Sequence, residues 1–309
     1  VSYADKLGNE VSAEYAITQK VFPKPIEFSE VRAMSEGKIG LPQYIEGFII
    51  SDYNSKNICP APQTAQFKYD FTENDKTAYI ESVDGRYGFC LKFATEADAQ
   101  IARYSKVKLA LENVSLKKEL NPDRYYITGV TAADFIEIAN GSAPVKTKSI
   151  TELTDDDIFT LVSVPDLEIV YKDGCFTNCT DGYSLKCDAN PFSGISNGSR
   201  WCESPLMMID SKGNTINMVT NCSVPWRRDG KDKAMGTIVP QGTGTFKGIV
   251  VAEPMVRYGD VGRYQLRAMV KEDIALTGAP TYKTIVEWNW NDWKADTAPE
   301  VGAGTLTNV

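Results

Sequence analysis

Alternating and β-branched runs dominate the chain between residues 26 and 276, and helical spacing is confined to short turns. Ile26, Phe28, Val31 and Met34 are spaced for one short helical turn ahead of Gly37 and Gly40. Tyr44–Asp52 then reads as a β-branched and aromatic strand, closed by the turn cluster Asp52–Asn57. Ala78–Val83 and Tyr87–Phe93 are joined through Asp84 and Gly85, a strong hairpin signal. Alternation sends Tyr87, Phe89, Leu91 and Phe93 to one face and Cys90 and Lys92 to the other. Lys106–Val114 and Arg124–Val130 add two more strands. Roughly five strands with little helix is the inventory of a Greek-key barrel of the OB type.

The same order recurs in the second half, which points to a repeat. Ser149–Asp155 echoes the opening turn, and Ile158–Val164 echoes the first long strand. Leu206–Asp210 turns through Lys212–Asn214 into Ile216–Thr220, and Thr245–Val251 with Gly262–Met269 completes the set. The expected architecture is mainly β: two tandem OB-like five-stranded Greek-key barrels with short helical turns. Residues 1–25, polar and without periodicity, read as an N-terminal tail or linker, 26–145 as domain 1, 146–276 as domain 2, and 277–309 as a C-terminal segment. Between the first and second strands of domain 2 lies a Cys-rich loop insertion, 171–205. After Trp293 the chain is linker-like, which anticipates a further domain.

Composition narrows the chemistry. Among 309 residues, 33 Lys and Arg stand against 41 Asp and Glu, for a formal charge of −8, the wrong sign for a partner of duplex DNA. His is absent, which excludes Ser-His-Asp and Cys-His catalysis and His-ligated zinc. No segment reaches the roughly 18 consecutive apolar residues that a membrane helix needs. The chain starts at Val1, not Met, so a removed leader is expected. Seven Cys, an odd number, leave at least one thiol unpaired. Disulfides, free buried thiols and, more remotely, zinc are the alternatives for them.

Several motifs dissolve on inspection. Gly194, Ser196 and Gly198 match a nucleophile elbow, but the flanking strand, helix and His base are missing, so a turn-rich loop is expected. Gly242–Gly248 enters a strand instead of a helix and reads as a bulge or barrel bend. Asp155–Asp157 lacks the spacing of a calcium loop and reads as a solvated cap before the next strand. No catalytic residue, metal ligand or cofactor is assigned.

The binding signals are aromatic and basic residues at loops and strand ends of the second barrel: Trp201, Trp226, Arg227, Arg228, Arg257, Tyr258 and Arg263. OB barrels use such groups as platforms for oligosaccharides or single strands. Against this stands a reading in which Trp226 and Tyr264 are core residues and the arginines pair with local acids such as Asp229 and Asp260. Trp288 and Trp290 share a face if their segment is a strand, and present indoles either to sugar rings or to the barrel they dock on.

The phrases Tyr44–Asp52, Glu152–Ile158, Pro225–Arg228, Val239–Val251 and Arg257–Arg267 resemble a family of exported, usually lipid-anchored surface proteins of the Bacteroidetes with paired OB-like domains. The resemblance spans residues 26 to 276. It implies a cell-surface or outer-membrane address, a lipid anchor on the removed leader, and the company of glycan-uptake or nuclease machinery. It brings no catalytic residues, because no activity is attached to the family. Asp296–Ala298 is similar to the tripeptide that such bacteria O-glycosylate. The expectation is a non-catalytic surface protein that binds an oligosaccharide. A single-stranded nucleic-acid module and a structural or adhesive spacer for a downstream domain or surface complex are the alternatives.

Overall fold

The structure, a computed structural model, describes residues 2–4, 10–12, 22–65, 68–170, 203–221, 224–226, 239–253 and 261–280. It is mainly β. The first barrel is built from β1 (Gln43–Ile49), β2 (Thr77–Ser82), β3 (Gly88–Phe93), β4 (Lys106–Ala110), β5 (Ser115–Glu119), β6 (Arg124–Val130) and β7 (Phe135–Ala139). β1, β2 and β3 form an antiparallel meander, and β6 runs parallel to β3. The chain passes from β4 into β5, so that this bent stretch borders β1 at one end and β6 at the other and closes the ring.

The second barrel repeats the plan with β8 (Leu161–Ile169), β9 (Glu203–Asp210), β10 (Thr215–Asn221), β11 (Gly244–Val251) and β12 (Gln265–Arg267). Every joint of this ring is hydrogen-bonded, and its one parallel pairing, β10 with β12, matches that of β3 with β6 in the first barrel. One parallel joint in an otherwise antiparallel five-membered ring is the OB arrangement expected of both halves. β8 carries Pro165 at a bulge between Val164 and Leu167, where a missing N–H costs no ladder bond.

Small elements repeat as well. The Lys24–Pro25 bridge lies parallel to the start of β1, as Lys146–Thr147 lies along β8. A capping box starts the helix α1 (Phe28–Ala33) through Glu27 and Glu30, and another starts the turn at Ile150–Glu152 through Ser149 and Glu152. The pairing at Lys24 lies just ahead of Ile26, and β9 pairs with β10 from Glu203 onward. Within the segment read as a tail, Ser2–Ala4 pairs with Glu10–Ser12. Three-residue strands are too short to carry a readable alternation.

The hydrophobic core of barrel 1 gathers Ile45, Phe89, Leu91, Leu109 and Ile127, with Phe28 and Val31 of α1 as its plug. A second cluster fills barrel 2 and runs on into Phe48, Ile50, Ile58, Tyr79 and Cys90 of barrel 1. This explains why every residue of β2 is buried and why alternation in β3 does not end in solvent. Phe89, Leu91 and Phe93 face the barrel, as expected, while Cys90 faces the other barrel. At the seam, Phe159 stacks on Tyr79 at 5.1 Å and meets Tyr126 edge-on at 5.4 Å. It does so with φ of 67°, an uncommon conformation for a bulky side chain. Its carbonyl lies against Gly88, where an added Cβ would come within 2.0 Å.

Two segments depart from their sequence reading. The Asp52–Asn57 turn does close β1, but it does not stop at the surface. Ser55, Asn57, Ile58 and Cys59 are buried. The Asn57 amide donates to the carbonyls of Val219 and Ala268 at 3.3 and 2.9 Å, and its oxygen accepts from the Asn221 N–H at 2.8 Å and from Arg267 Nη1 at 3.1 Å. Asp155–Asp157 is a cap, yet a bonded one. Asp155 accepts from Arg263 and Tyr264, Asp156 meets Arg32 of barrel 1 at 3.0 Å, and Asp157 is buried against Lys148. A third link joins Arg103 of barrel 1 to the fully buried Asp273 carboxylate at 2.9 Å, with Lys247 at 3.0 Å.

Asn57→Ala should therefore cost about 2–4 kcal/mol in denaturant unfolding, because it takes one acceptor from the buried Arg267 and a side-chain partner from an N–H and two carbonyls at once. Asn54→Ala, in the exposed part of the same turn, should cost under about 0.5 kcal/mol.

Candidate functional site

The docking of the barrels covers only part of the outer face of β2, β3 and β6. The remainder is a cleft of two adjoining hollows, about 310 and 430 Å³, which share Glu73, Lys92, Glu119 and Tyr126. Its floor is strand: Lys92 from β3, Tyr126 and Thr128 from β6. One bank is the β1–β2 loop with Cys59, Pro60, Glu73 and Lys76, and the other is the end of β5 with Lys117 and Glu119. Barrel 2 supplies the far wall with Phe159, Ala252 and Glu253. These strands and loops are where OB barrels hold oligosaccharides and oligonucleotides.

The position of each polar group follows from strand register. Lys92 lies across from Thr77 in the β2–β3 ladder, and its ammonium donates to the Thr77 hydroxyl at 2.8 Å and to Glu73 at 3.3 Å. Glu119 ends β5 opposite Arg124, which begins β6. Its carboxylate takes an ion pair from Lys117 at 2.9 Å and one from Arg124 at 3.2 Å, and accepts the Tyr126 hydroxyl at 2.9 Å. Burial works to raise the Glu119 pKa, but the Lys117 and Tyr126 hydrogen bonds and the Arg124 charge hold it below the ordinary carboxylate value. Burial pushes the Tyr126 hydroxyl above its ordinary value, with the Cys90 and Glu119 charges adding to it. Arg124 also reaches the Ala252 carbonyl of barrel 2 at 2.6 Å, so the cleft wall is tied across the seam.

Two thiols, Cys59 and Cys90, lie at the closed end, both free and buried. Desolvation raises both, Cys90 to about 12. Among the described residues no group of three or more Cys, Asp and Glu is arranged to hold a metal ion. Behind the wall, Glu253 pairs with Arg267 at 2.5 Å, and Arg267 is the largest fully buried side chain among the described residues.

Of the residues singled out from the sequence, Trp226 and Arg263 are described, and neither lines this cleft. Trp226 is described and buried, its indole N–H without a hydrogen-bond partner among the described residues, so it is a core residue of barrel 2. Arg263 is half-exposed and forks onto Asp155 at 2.6 and 2.9 Å, with Asn121 of barrel 1 at 3.2 Å. The acid it pairs with, Asp155, belongs to its own barrel, and the bond to Asn121 is the one that crosses the seam; Asp229 and Asp260 lie outside the described residues. Trp201, Arg227, Arg228, Arg257, Tyr258, Trp288 and Trp290 lie outside the described residues, as do Gly194–Gly198 and five of the cysteines. In barrel 2 the ends of β10 and β12 are occupied by the Ser55–Cys59 loop of barrel 1 through Asn57. Sequence reasoning missed Lys92 and Tyr126 because both sit in strands read only for their alternation. Lys92 was visible as a charge on the outward face of an otherwise apolar strand.

No family model matches the chain, and no curated protein matches it.

Because the thiolate is the reactive form, Cys59 and Cys90 should stay unlabelled when the native chain is exposed to iodoacetamide at neutral pH, and label fully after unfolding. Peptide mass spectrometry reads the two positions separately from the other five cysteines.

Proposed function

We propose that the chain is a non-catalytic oligosaccharide-binding protein and that the cleft on barrel 1 takes the glycan. The observation that carries this reading is the pairing of charge inside the cleft. Lys92, Lys117 and Arg124 each have a carboxylate partner there, in Glu73 or Glu119. A phosphodiester backbone would have to pull these cations away from their partners, and a chain of net charge −8 would oppose its approach. Sugar hydroxyls, donors and acceptors at once, can bridge a lysine and a glutamate without separating them. The Tyr126 ring beside them offers a flat apolar surface for a pyranose face.

The exported, surface-anchored setting belongs to the same proposal and is supported by the resemblance of Tyr44–Asp52 and Val239–Val251 to the Bacteroidetes surface proteins. So does a partnership with glycan-uptake machinery or a downstream domain.

The test is the purified chain against a panel of plant and host oligosaccharides and single-stranded oligonucleotides, by calorimetry at 50 mM and 500 mM salt, roughly the range over which phosphate contacts weaken by orders of magnitude. A glycan should bind with an affinity that salt hardly changes. Tyr126→Phe and Lys92→Met should each weaken it about tenfold, one hydrogen bond's worth. Oligonucleotide binding that collapses with salt, or no glycan bound by any member of the panel, overturns the reading.

A further inference from the structure

Glu81 is a further polar group at the seam and lies outside the residues that line the cleft. It sits in β2 directly across from Gly88, and its side chain leaves the barrel toward the start of β8. There one carboxyl oxygen accepts the Leu161 N–H at 2.9 Å. The residue is fully buried, and its second oxygen has no hydrogen-bond partner among the described residues. A buried carboxylate with an empty lone-pair set is costly, whereas a neutral carboxyl needs far less.

The charged groups that face it do not change this. Lys146 and Asp84 are the two that act on Glu81. Lys146, on the strand that pairs with β8, is drawn toward Asp157 and Asp84 before Glu81, and Lys148, just past that strand, opposes it. Burial keeps the Lys146 ammonium itself below its ordinary pKa. The hairpin partner Gly88 and the cross-strand neighbour Phe48 bring no charge.

We propose that Glu81 is a proton-operated latch between the barrels: neutral, it holds the start of β8 against β2, and ionised, it loosens that docking. The consequence reaches the cleft, since Phe159, two residues before Leu161, is part of its barrel-2 wall. Burial, the dominant cause, puts the loss of the proton at about pH 8 in the folded chain, against an ordinary glutamate value of 4.5. The folded state therefore binds more protons than the unfolded one between those two values. Stability conferred by the neutral form is complete below the lower value and is lost as pH rises to the upper one. This inference is independent of what the cleft binds.

Thermal unfolding of the full chain from pH 5 to 9.5, compared with Glu81→Gln, tests it. The wild-type midpoint should fall by several degrees relative to E81Q between about pH 5 and 8 and run parallel to it above. Identical pH profiles overturn the proposal. Should E81Q fail to fold, carbon-13 NMR of glutamate-labelled wild type decides: one side-chain carboxyl must titrate near pH 8, and a set that titrates entirely in the ordinary range overturns it.

Discussion

A guanidinium shut away from water has to be neutralised and its donors filled, and Arg267 draws on both barrels for this: Asn221 of its own barrel and Asn57 of the other both accept from its Nη1. Glu253 supplies the charge from barrel 2, but the Asn57 oxygen that accepts from Nη1 comes from barrel 1. The same Asn57 amide spans Val219 and Ala268, carbonyls at the ends of the two strands that run parallel in barrel 2. Separating the barrels would take from Arg267 its Asn57 acceptor and leave the Asn221 N–H and the Val219 and Ala268 carbonyls without their side-chain partner, a penalty larger than the loss of any one contact. The two barrels are therefore energetically one body. The cleft can draw its walls from both because their relation is set by this buried network and not by a linker.

Duplication was legible because it is written in apolar spacing. Arg124–Phe135 and Arg263–Ile274 align residue for residue, each starting with Arg-Tyr and reaching an aspartate that caps a tight turn, Asp134 in one and Asp273 in the other. Strand positions, the hairpin at Asp84-Gly85 and the entry turns follow from local rules that a single chain displays. What the copies do differently was not legible. Asp134 accepts only from its own Thr131 turn and the nearby backbone, while Asp273 also receives Arg103 from the other barrel. Nothing in the spacing around Asp273 announces a partner 170 positions away.

The same limit governs the site. Aromatic and basic residues in the second half attracted notice because loops rich in Trp and Arg often bind ligands, yet Trp226 is core and Arg263 is spent on Asp155. The cleft instead assembles Glu73 from a loop, Lys92 from a strand centre and Glu119 from a strand end. Each is unremarkable in its own window, and they become neighbours only through the parallel pairing of β3 with β6. Duplicated barrels also need not share a ligand face: one copy keeps its face partly open, and the other has the strand ends filled by a loop of its twin.

Gly88 and Phe159 meet through main-chain atoms, with no side chain on the Gly88 side to act as a spacer. Where two bodies touch backbone to backbone, their separation is fixed by bond lengths and van der Waals radii, and no choice of rotamer can retune it. The spacing of the barrels at this point is thus insensitive to drift in the surrounding apolar residues. Lineages of this protein would be free to reshape the rim of the groove while inheriting the same distance between its walls.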